Sequence, residues 1–397
     1  MIYLIIIIIL LVNTKYDKYI WNKYSLILFK FEWFVLVLLS ALRYRIGGDT
    51  MAYMDQYEFL PSLLELTWQE AVFNVWGFQP LYLFFVGICK FFTDEYLFFQ
   101  IVHAICVNSI VFWFIKKYSQ RPFLVVLFYF VLIFPNYNME ILKQSLTNCC
   151  FLLSIPYLIN KQWVKYYAFA FVGFGFHSAG IILLLLPLFF HTLGHKNIKK
   201  YTFYTLVGLI AINMFLVVIN VYLKNLGMVS LSSDLDTYGG NISNINGLIM
   251  GLITKFLLPF IYLVYYKGTN SISQSFTALY IILIGLSASL VFLYRIIDMF
   301  EIPFYIALTN YYYELRRNHL KSKSVRLGFK ISKLPFYLTI IMIVFLFSSK
   351  FSFYMQNLSS NAGTRAHRYD LYIPYSSIIN PQEYGVREAL YYDFITK

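Results

Sequence analysis

Charged residues are scarce in this sequence of 397 residues: Asp, Glu, Lys and Arg make up 13% of it, while hydrophobic residues make up 59%. A soluble domain has roughly 45–50% apolar and about 25% charged residues. Apolar runs also recur along the whole chain, many of them near the ~20 residues that a helix needs to cross a bilayer. The composition therefore excludes an ordinary soluble domain and predicts a polytopic, all-α integral membrane protein.

Residues that bind metals are also few, with four Cys and six His in the whole sequence. The cysteines lie inside apolar runs without the spacing of metal ligands, and the histidines form no His-Glu-X-X-His pattern. We therefore predict no metal site and no cofactor. The cysteines are interpreted as small buried apolar side chains.

Basic residues give the chain a net charge of +13, but their positions argue against nucleic-acid binding. They lie mainly in short loops between apolar runs, as expected when positive loops stay in the cytoplasm. The densest loop, residues 314–333, contains seven Lys or Arg. We predict that this loop is cytoplasmic and that membrane lipids are its neighbours.

The apolar segments are distributed over residues 1–349, which predicts a single transmembrane helical domain. No internal repeat is evident, so the inverted-repeat signature of many transporters is missing. Polar loops interrupt the domain at residues 43–77 and 224–247, and a polar tail covers residues 350–397. We expect these three polar regions on the exterior face.

The topology of the first half stays open. If residues 166–190 cross once, the basic loops at 116–121 and 160–165 fall outside, against the charge rule. If the chain turns back within the Gly-Phe-His stretch that ends at His177, those loops fall inside, but so do residues 43–77. A re-entrant segment within 43–77 would reconcile all of them.

Several polar side chains lie within or at the rim of apolar segments, where a charge costs at least ~2.5–3.5 kcal/mol. Cations outnumber acids among them, which predicts a cavity that binds an anion. They are Arg43, Arg45, Asp49, Lys143, Gln144, His177, Arg295 and Asp298.

Each of these side chains also has a structural interpretation. Arg43 and Arg45 can anchor a helix end, and Asp49 after two glycines can be a helix N-cap. His177 alone is more often a hydrogen-bonded core histidine than a catalytic one. Single residues therefore do not decide the function, and only the whole set indicates a functional site.

The order of the motifs resembles the EpsG family, bacterial polysaccharide polymerases of the Wzy type. The resemblance rests on LRYRIGGDTMAY, then KQSL, then FHSAGIILLLLPLFF, then YRIIDMF. It extends across nearly the whole chain. Two positions differ from the family pattern: Gly48 stands where Thr usually precedes the aspartate, and Lys143 replaces an arginine. Lys143 keeps the charge but lacks the planar fork of a guanidinium.

The resemblance implies a bundle of about 11–13 spans, like that of GT-C-like membrane glycosyltransferases, in the bacterial cytoplasmic (inner) membrane. The implied activity joins oligosaccharide repeat units carried on undecaprenyl diphosphate at the outer leaflet, for capsule, exopolysaccharide or O-antigen. Implied partners are the lipid-linked oligosaccharide and, among proteins, a chain-length regulator and a flippase.

The same resemblance implies roles for the site residues. Arg43, Arg45, Lys143, Gln144 and Arg295 would bind the substrate, with cations stabilising the charge of the departing diphosphate. His177 or Asp49 would accept the proton of the acceptor hydroxyl, and the sequence does not choose between them. The alternative function is a flippase or exporter of lipid-linked oligosaccharides, which would also need a cationic cavity.

Overall fold

The computed structural model describes residues 1–19, 21–73, 76–192, 257–267, 271–287, 293–324, 334–358 and 366–395, with short pieces between 200 and 226. Two compact units divide the chain. The first contains residues 1–184 and 345–397, and the second contains residues 185–344. All regular elements in the described ranges are helices, which confirms the predicted all-α class.

Eleven helices follow one another in the first half of the chain and are numbered here in chain order. They are α1 (Ile2–Asn13), α2 (Lys23–Ala41), α3 (Gly48–Phe59), α4 (Trp68–Val72), α5 (Pro80–Phe92), α6 (Tyr96–Tyr118), α7 (Pro122–Phe128), α8 (Phe134–Met139), α9 (Leu142–Ile159), α10 (Trp163–Phe176) and α11 (Ile181–Thr192). A π-helical turn, Tyr129–Ile133, joins α7 to α8 without a break.

The remaining described helices are α12 (Leu258–Tyr265), α13 (Ser271–Ser287), α14 (Tyr294–Ser324), α15 (Leu334–Tyr354) and α16 (Gly385–Ile395). In the second unit α13 packs on α14, where the rings of Tyr280 and Phe304 stack with centroids 4.1 Å apart. Helix α14 continues through the first part of the predicted basic loop 314–333. The rest of that loop and nearly all of the polar loop 224–247 lie outside the described residues.

Four helices of the described part are long and apolar enough to cross a membrane. They are α2, α6, the continuous helix Pro122–Met139 and α15. The chain is thus a helical membrane protein, as its composition predicts.

Helices α2 and α6 run antiparallel, and their termini define the two ends of the first unit. At one end, the amide of Gln100 on α6 donates to the carbonyls of Ala41, the last residue of α2, and of Arg43, at 2.6 and 2.9 Å. At the other end, the Lys116 ammonium lies over the Trp21 ring, 5.3 Å from its centroid. The end that contains residues 41–49 is called the motif end below.

Buried amides tie α6 to the π-turn and α8. Asn108 donates to the side-chain oxygen of Asn138 at 2.8 Å and accepts from the Tyr129 hydroxyl at 3.0 Å. Asn138 donates back to the Tyr129 oxygen at 3.0 Å. Because these groups are away from water, the closed ring of hydrogen bonds satisfies them and fixes α8 against α6.

The helical path breaks at His177 and the chain turns back. A Cβ added at Gly180 would lie 2.6 Å from the backbone nitrogen of Phe174, so only glycine allows this close approach. Beyond it, the Leu183 carbonyl accepts a hydrogen bond from the Tyr166 hydroxyl at 2.6 Å. The start of α11 therefore returns along α10, which is the turn-back alternative that the sequence left open.

Candidate functional site

Arg43 is buried beneath the motif loop, residues 42–49, and its side chain is 1% exposed. Its guanidinium donates to the Ser40 carbonyl at the end of α2 and lies 3.5 Å from the Thr50 hydroxyl. Thr50 in turn donates to the Met139 carbonyl at 2.5 Å. Burial lowers the pKa of Arg43. In this geometry Arg43 connects α2, α3 and α8.

Gly47 gives the motif loop its sharp turn into α3. Its φ of 90° lies in the left-handed region, and a Cβ there would collide with the Met139 carbonyl oxygen. Only glycine fits such a position without strain. The turn brings the first residues of α3 directly beside the end of α8.

The Glu140 side chain caps the N-terminus of α3. Its carboxylate accepts the backbone N–H groups of Gly48 and Asp49 at 3.0 and 3.1 Å, and the Tyr372 hydroxyl at 2.9 Å. Carboxylates are favourable at helix N-termini because unpaired N–H groups and the helix dipole meet there. Burial and the nearby Asp49 nevertheless raise the pKa of Glu140 to about 7, against the hydrogen bonds that lower it.

The C-terminal segment, residues 366–395, packs on the motif loop. Backbone hydrogen bonds join Tyr44 to Ser376, Gly47 to Leu371 and Ile378 to Leu42, at 2.9–3.0 Å. The guanidinium of Arg387, which is 1% exposed, donates to the carbonyls of Asp370, Arg45 and Pro374. This part of the predicted exterior tail is therefore folded into the first unit.

Arg45 forms a two-point ion pair with Glu388 on α16. This hydrogen-bonded carboxylate raises the pKa of Arg45. On the same helix, the Tyr391 hydroxyl donates to the Asp55 carboxylate of α3. Helix α16 is thus held to the motif loop and to α3 by charged contacts.

A cavity of about 450 Å³ opens beside α3 and the first turn of α9. Its wall combines one cation, one carboxylate, one amide and several aromatic rings. The lining residues are Asp49, Ala52, Tyr53, Gln56, Phe59, Leu60, Trp76, Gly77, Phe78 and Lys143. Of the seven predicted site residues, the cavity brings together Asp49 and Lys143.

Lys143 lies over a group of aromatic rings at the cavity. Its ammonium is 4.4 Å from the ring centroid of Phe78, 5.7 Å from that of Tyr53 and 5.9 Å from that of Tyr82. Electron-rich ring faces attract a cation and hold it in place. The charge of Lys143 is therefore fixed at the cavity wall, while the next residue, Gln144, is buried in α9.

His177 is buried at the end of α10, and its Nδ1 accepts the Ala179 N–H at 3.0 Å. It acts as the N-cap of the short turn Ser178–Gly180. Arg295 and Asp298 lie at the start of α14 in the second unit, Arg295 exposed and Asp298 half-buried. The roles given to His177 and Arg295 therefore stay predictions.

The sequence interpretation missed three residues of this arrangement: Glu140, Arg387 and Glu388. Glu140 directly precedes the ILKQSL motif, so its position at the motif end was a usable signal. Arg387 and Glu388 lie more than 340 residues from Arg45, and no local pattern links them. In the described ranges, no group of three or more His, Cys, Asp or Glu is placed to hold a metal ion.

The helices and this cavity define a multi-pass membrane protein with a polar, aromatic cavity at one end of its first unit. The sequence model of the EpsG family matches residues 26–377, which is most of the chain. This chain belongs to the EpsG family, as the order of its motifs predicts.

The chain is also similar to the amylovoran biosynthesis protein AmsC of Erwinia amylovora, with 25% identity over 159 residues. The aligned region is 40% of this chain and 42% of AmsC, so the chain spans less than half of that relative. No solved structure matches the chain significantly.

Proposed function

We propose that this chain is a polysaccharide polymerase that joins oligosaccharide repeat units carried on a lipid diphosphate. The cavity that holds Lys143 and Asp49 among aromatic rings is the observation that carries the proposal. Rings stack on sugar faces, the carboxylate and the Gln56 amide suit sugar hydroxyls, and the ammonium suits a diphosphate. Membership of the EpsG family and the relative named for amylovoran biosynthesis support the same substrate class.

The proposed reaction exchanges one bond for another at the anomeric carbon. The bond to the diphosphate oxygen breaks, and its electron pair leaves with the lipid diphosphate. The acceptor hydroxyl oxygen forms the new glycosidic bond and releases its proton to a base. We assign that base to Asp49 rather than His177, because Asp49 lines the cavity and His177 caps a turn. Lys143 offsets the negative charge that develops on the diphosphate.

The other cations have distinct proposed roles. Arg43 is too deeply buried for direct contact, so it positions the motif loop. Arg45 binds the diphosphate after exchanging the Glu388 carboxylate for a phosphate of similar geometry. Arg295 keeps the substrate-binding role that the family resemblance implies for it. Gln144 supports Lys143 from within α9.

The setting of the reaction is part of the same proposal. We propose a GT-C-like bundle of about 11–13 spans in the bacterial cytoplasmic membrane. The lipid is undecaprenyl diphosphate, the reaction takes place at the outer leaflet, and the product is a capsule, exopolysaccharide or O-antigen. Chain-length regulator and flippase proteins are the proposed partners.

Arg295→Ala tests this function in a strain that makes the polysaccharide. We expect the ladder of long glycans to disappear and single lipid-linked units to accumulate, because diphosphate departure loses a charge partner. Lipid-linked glycans resolved on a gel show this, with immunoblotting to check that the variant reaches the membrane.

The leaflet on which the units accumulate separates the two candidate functions. Units exposed on the outer leaflet support a polymerase. Units retained on the cytoplasmic leaflet would instead mean that the protein moves lipid-linked sugars, and an unchanged ladder would remove Arg295 from the site.

A further inference from the structure

Helix α5 crosses α6 steeply instead of running beside it. Only residues 93–95 connect the two helices, so a helix antiparallel to α6 would place Tyr82 near residue 106. Tyr82 instead contacts Phe99, in the first turn of α6, with ring centroids 6.2 Å apart. The 13 residues of α5 are about 20 Å long at 1.5 Å per residue, short of the ~30 Å hydrocarbon core.

Both ends of α5 lie at the motif end. Near its start, the Tyr82 ring approaches Lys143, in the first turn of α9. Farther along, the Phe85 ring contacts Phe176, the last residue of α10, at 6.3 Å. Its final residue, Phe92, contacts Phe98 in the first turn of α6, at 5.8 Å. Helix α5 thus lies across the ends of α6, α9 and α10.

The end of α3 and the segment that follows it are hydrogen-bonded to α5. The Lys90 ammonium donates to the carbonyls of Tyr57, Glu58 and Leu60 at 2.7–3.2 Å. The Leu63 N–H donates to the Gly87 carbonyl at 3.0 Å. Helices α3 and α5 and the described residues between them form one layer, called the cap layer, residues 48–73 and 76–92.

Two carboxylates of the cap layer, those of Glu65 and Glu70, accept hydrogen bonds from residues three positions earlier in the chain. Glu65 accepts from the N–H and hydroxyl of Ser62, both at 2.8 Å. Glu70 accepts from the N–H and hydroxyl of Thr67 and forms the capping box of α4. These two acids therefore stabilise tight turns of the cap layer.

Large apolar side chains cover the outside of the cap layer. The exposed fractions are 76% for Phe59, 81% for Leu64, 69% for Trp68, 78% for Phe73 and 68% for Phe92. These five residues are called the apolar rim. Exposed apolar surface of this extent marks an interaction surface, and Trp and other aromatic residues concentrate where a membrane meets water.

Basic residues mark the opposite end of the first unit. Lys116 and the loop 116–121 lie there. Helix α9 runs in the same direction as α6, because His103 near the start of α6 contacts Leu142 and Ser145 at the start of α9. The loop 160–165 after α9 therefore lies at the basic end too. If α5 does not cross, both loops are cytoplasmic and residues 43–77 are exterior, as the charge rule requires.

We propose that the cap layer lies in the membrane–water interface of the leaflet opposite the basic loops, with the apolar rim inserted among the lipids. The occupant of this surface is the bilayer, because the same unit contains helices that can cross a membrane and the rim residue Phe92 contacts Phe98 at the start of one of them, α6. Phe59 belongs to both the rim and the cavity wall, so the cavity opens at the level of the lipid headgroups.

Spin labels at matched positions test this placement. Leu64→Cys and Ile379→Cys replace aliphatic residues that are each 81% exposed, the second of them in the C-terminal segment outside the rim. In lipid nanodiscs we expect the label at 64 to collide preferentially with oxygen and the label at 379 with a water-soluble nickel complex. Unmodified protein, whose four free cysteines are buried or half-buried, gives the background. Equal nickel accessibility at both positions would overturn the proposal, and Phe73→Cys repeats the test if Leu64→Cys fails to fold.

A second experiment tests whether α5 crosses. Glu58→Cys and Asp94→Cys replace exposed residues before and after α5, and Lys161→Cys replaces an exposed residue of a basic loop. In right-side-out vesicles, an impermeant maleimide should label positions 58 and 94 but label position 161 only after permeabilisation. Labelling of only one of 58 and 94 would show that α5 crosses and that the cap layer is not interfacial. Neither experiment depends on polymerase activity.

Discussion

Replacing Lys143 with Ala is expected to reduce polymer formation about 100-fold or more, the usual effect of removing a group that stabilises developing charge. Lys143 is the cation of the cavity wall, fixed over the rings of Phe78, Tyr53 and Tyr82. Without it the departing diphosphate loses the counter-charge that the cavity wall supplies. Quantifying the glycan ladder in a strain that carries the variant gives the measurement.

Lys165→Ala is the matched control, because Lys165 also lies over an aromatic ring, 5.7 Å from the centroid of Tyr157, but outside the cavity lining. It should leave the ladder unchanged. Lys143→Arg should retain activity, since it keeps the charge and restores the family's residue. Equal activity of Lys143→Ala and Lys165→Ala would contradict a role of the cavity in the reaction.

Glu140→Ala is expected to destabilise the first unit and to abolish polymer formation. The change leaves the N–H groups of Gly48 and Asp49 and the Tyr372 hydroxyl without their acceptor. A donor that loses its partner costs about 1–3 kcal/mol where it is buried, and of these three residues Tyr372 is buried. Asp49 lies in the first turn of α3, whose N-terminus Glu140 caps. Losing the Glu140 carboxylate therefore also displaces Asp49, the proposed base. Thermal unfolding of the purified protein, together with the glycan ladder, measures both effects.

Glu95→Ala is the control for this prediction, because Glu95 is exposed and its side chain makes no capping hydrogen bond. Glu140→Gln should give an intermediate result, since its single amide oxygen can replace only part of the carboxylate. If Glu140→Ala unfolds at the same temperature as Glu95→Ala and keeps its ladder, Glu140 does not organise the site.

Most of the helices could be predicted from apolar run lengths alone. The sequence predicts apolar helices near 24–42 and 141–159, and the structure has Lys23–Ala41 and Leu142–Ile159. These segments are mostly apolar and are bounded by polar residues or turns, so their limits are set locally. The family could also be predicted, because its motifs keep their order along the chain.

Other features depend on contacts that a local pattern does not contain. Residues 78–92 are as apolar as a membrane span, and it is the contacts of Tyr82 with Phe99 and of Phe92 with Phe98 that place this helix across the end of α6. The clustering of Arg45 with Glu388 joins positions that are 343 residues apart. The family resemblance implies that Asp49 and Lys143 serve the same site, and both line the cavity. It does not imply that Arg43 is buried.

Reconstitution of the purified protein tests the central claim most directly. Lipid-linked repeat units, extracted from a strain that lacks this protein and radiolabelled in the sugar, are added to vesicles that contain it. We predict glycans longer than one unit, with one lipid diphosphate released for each new glycosidic bond, and neither product with Asp49→Asn. Movement of intact single units across the bilayer without any longer glycan would contradict the polymerase function.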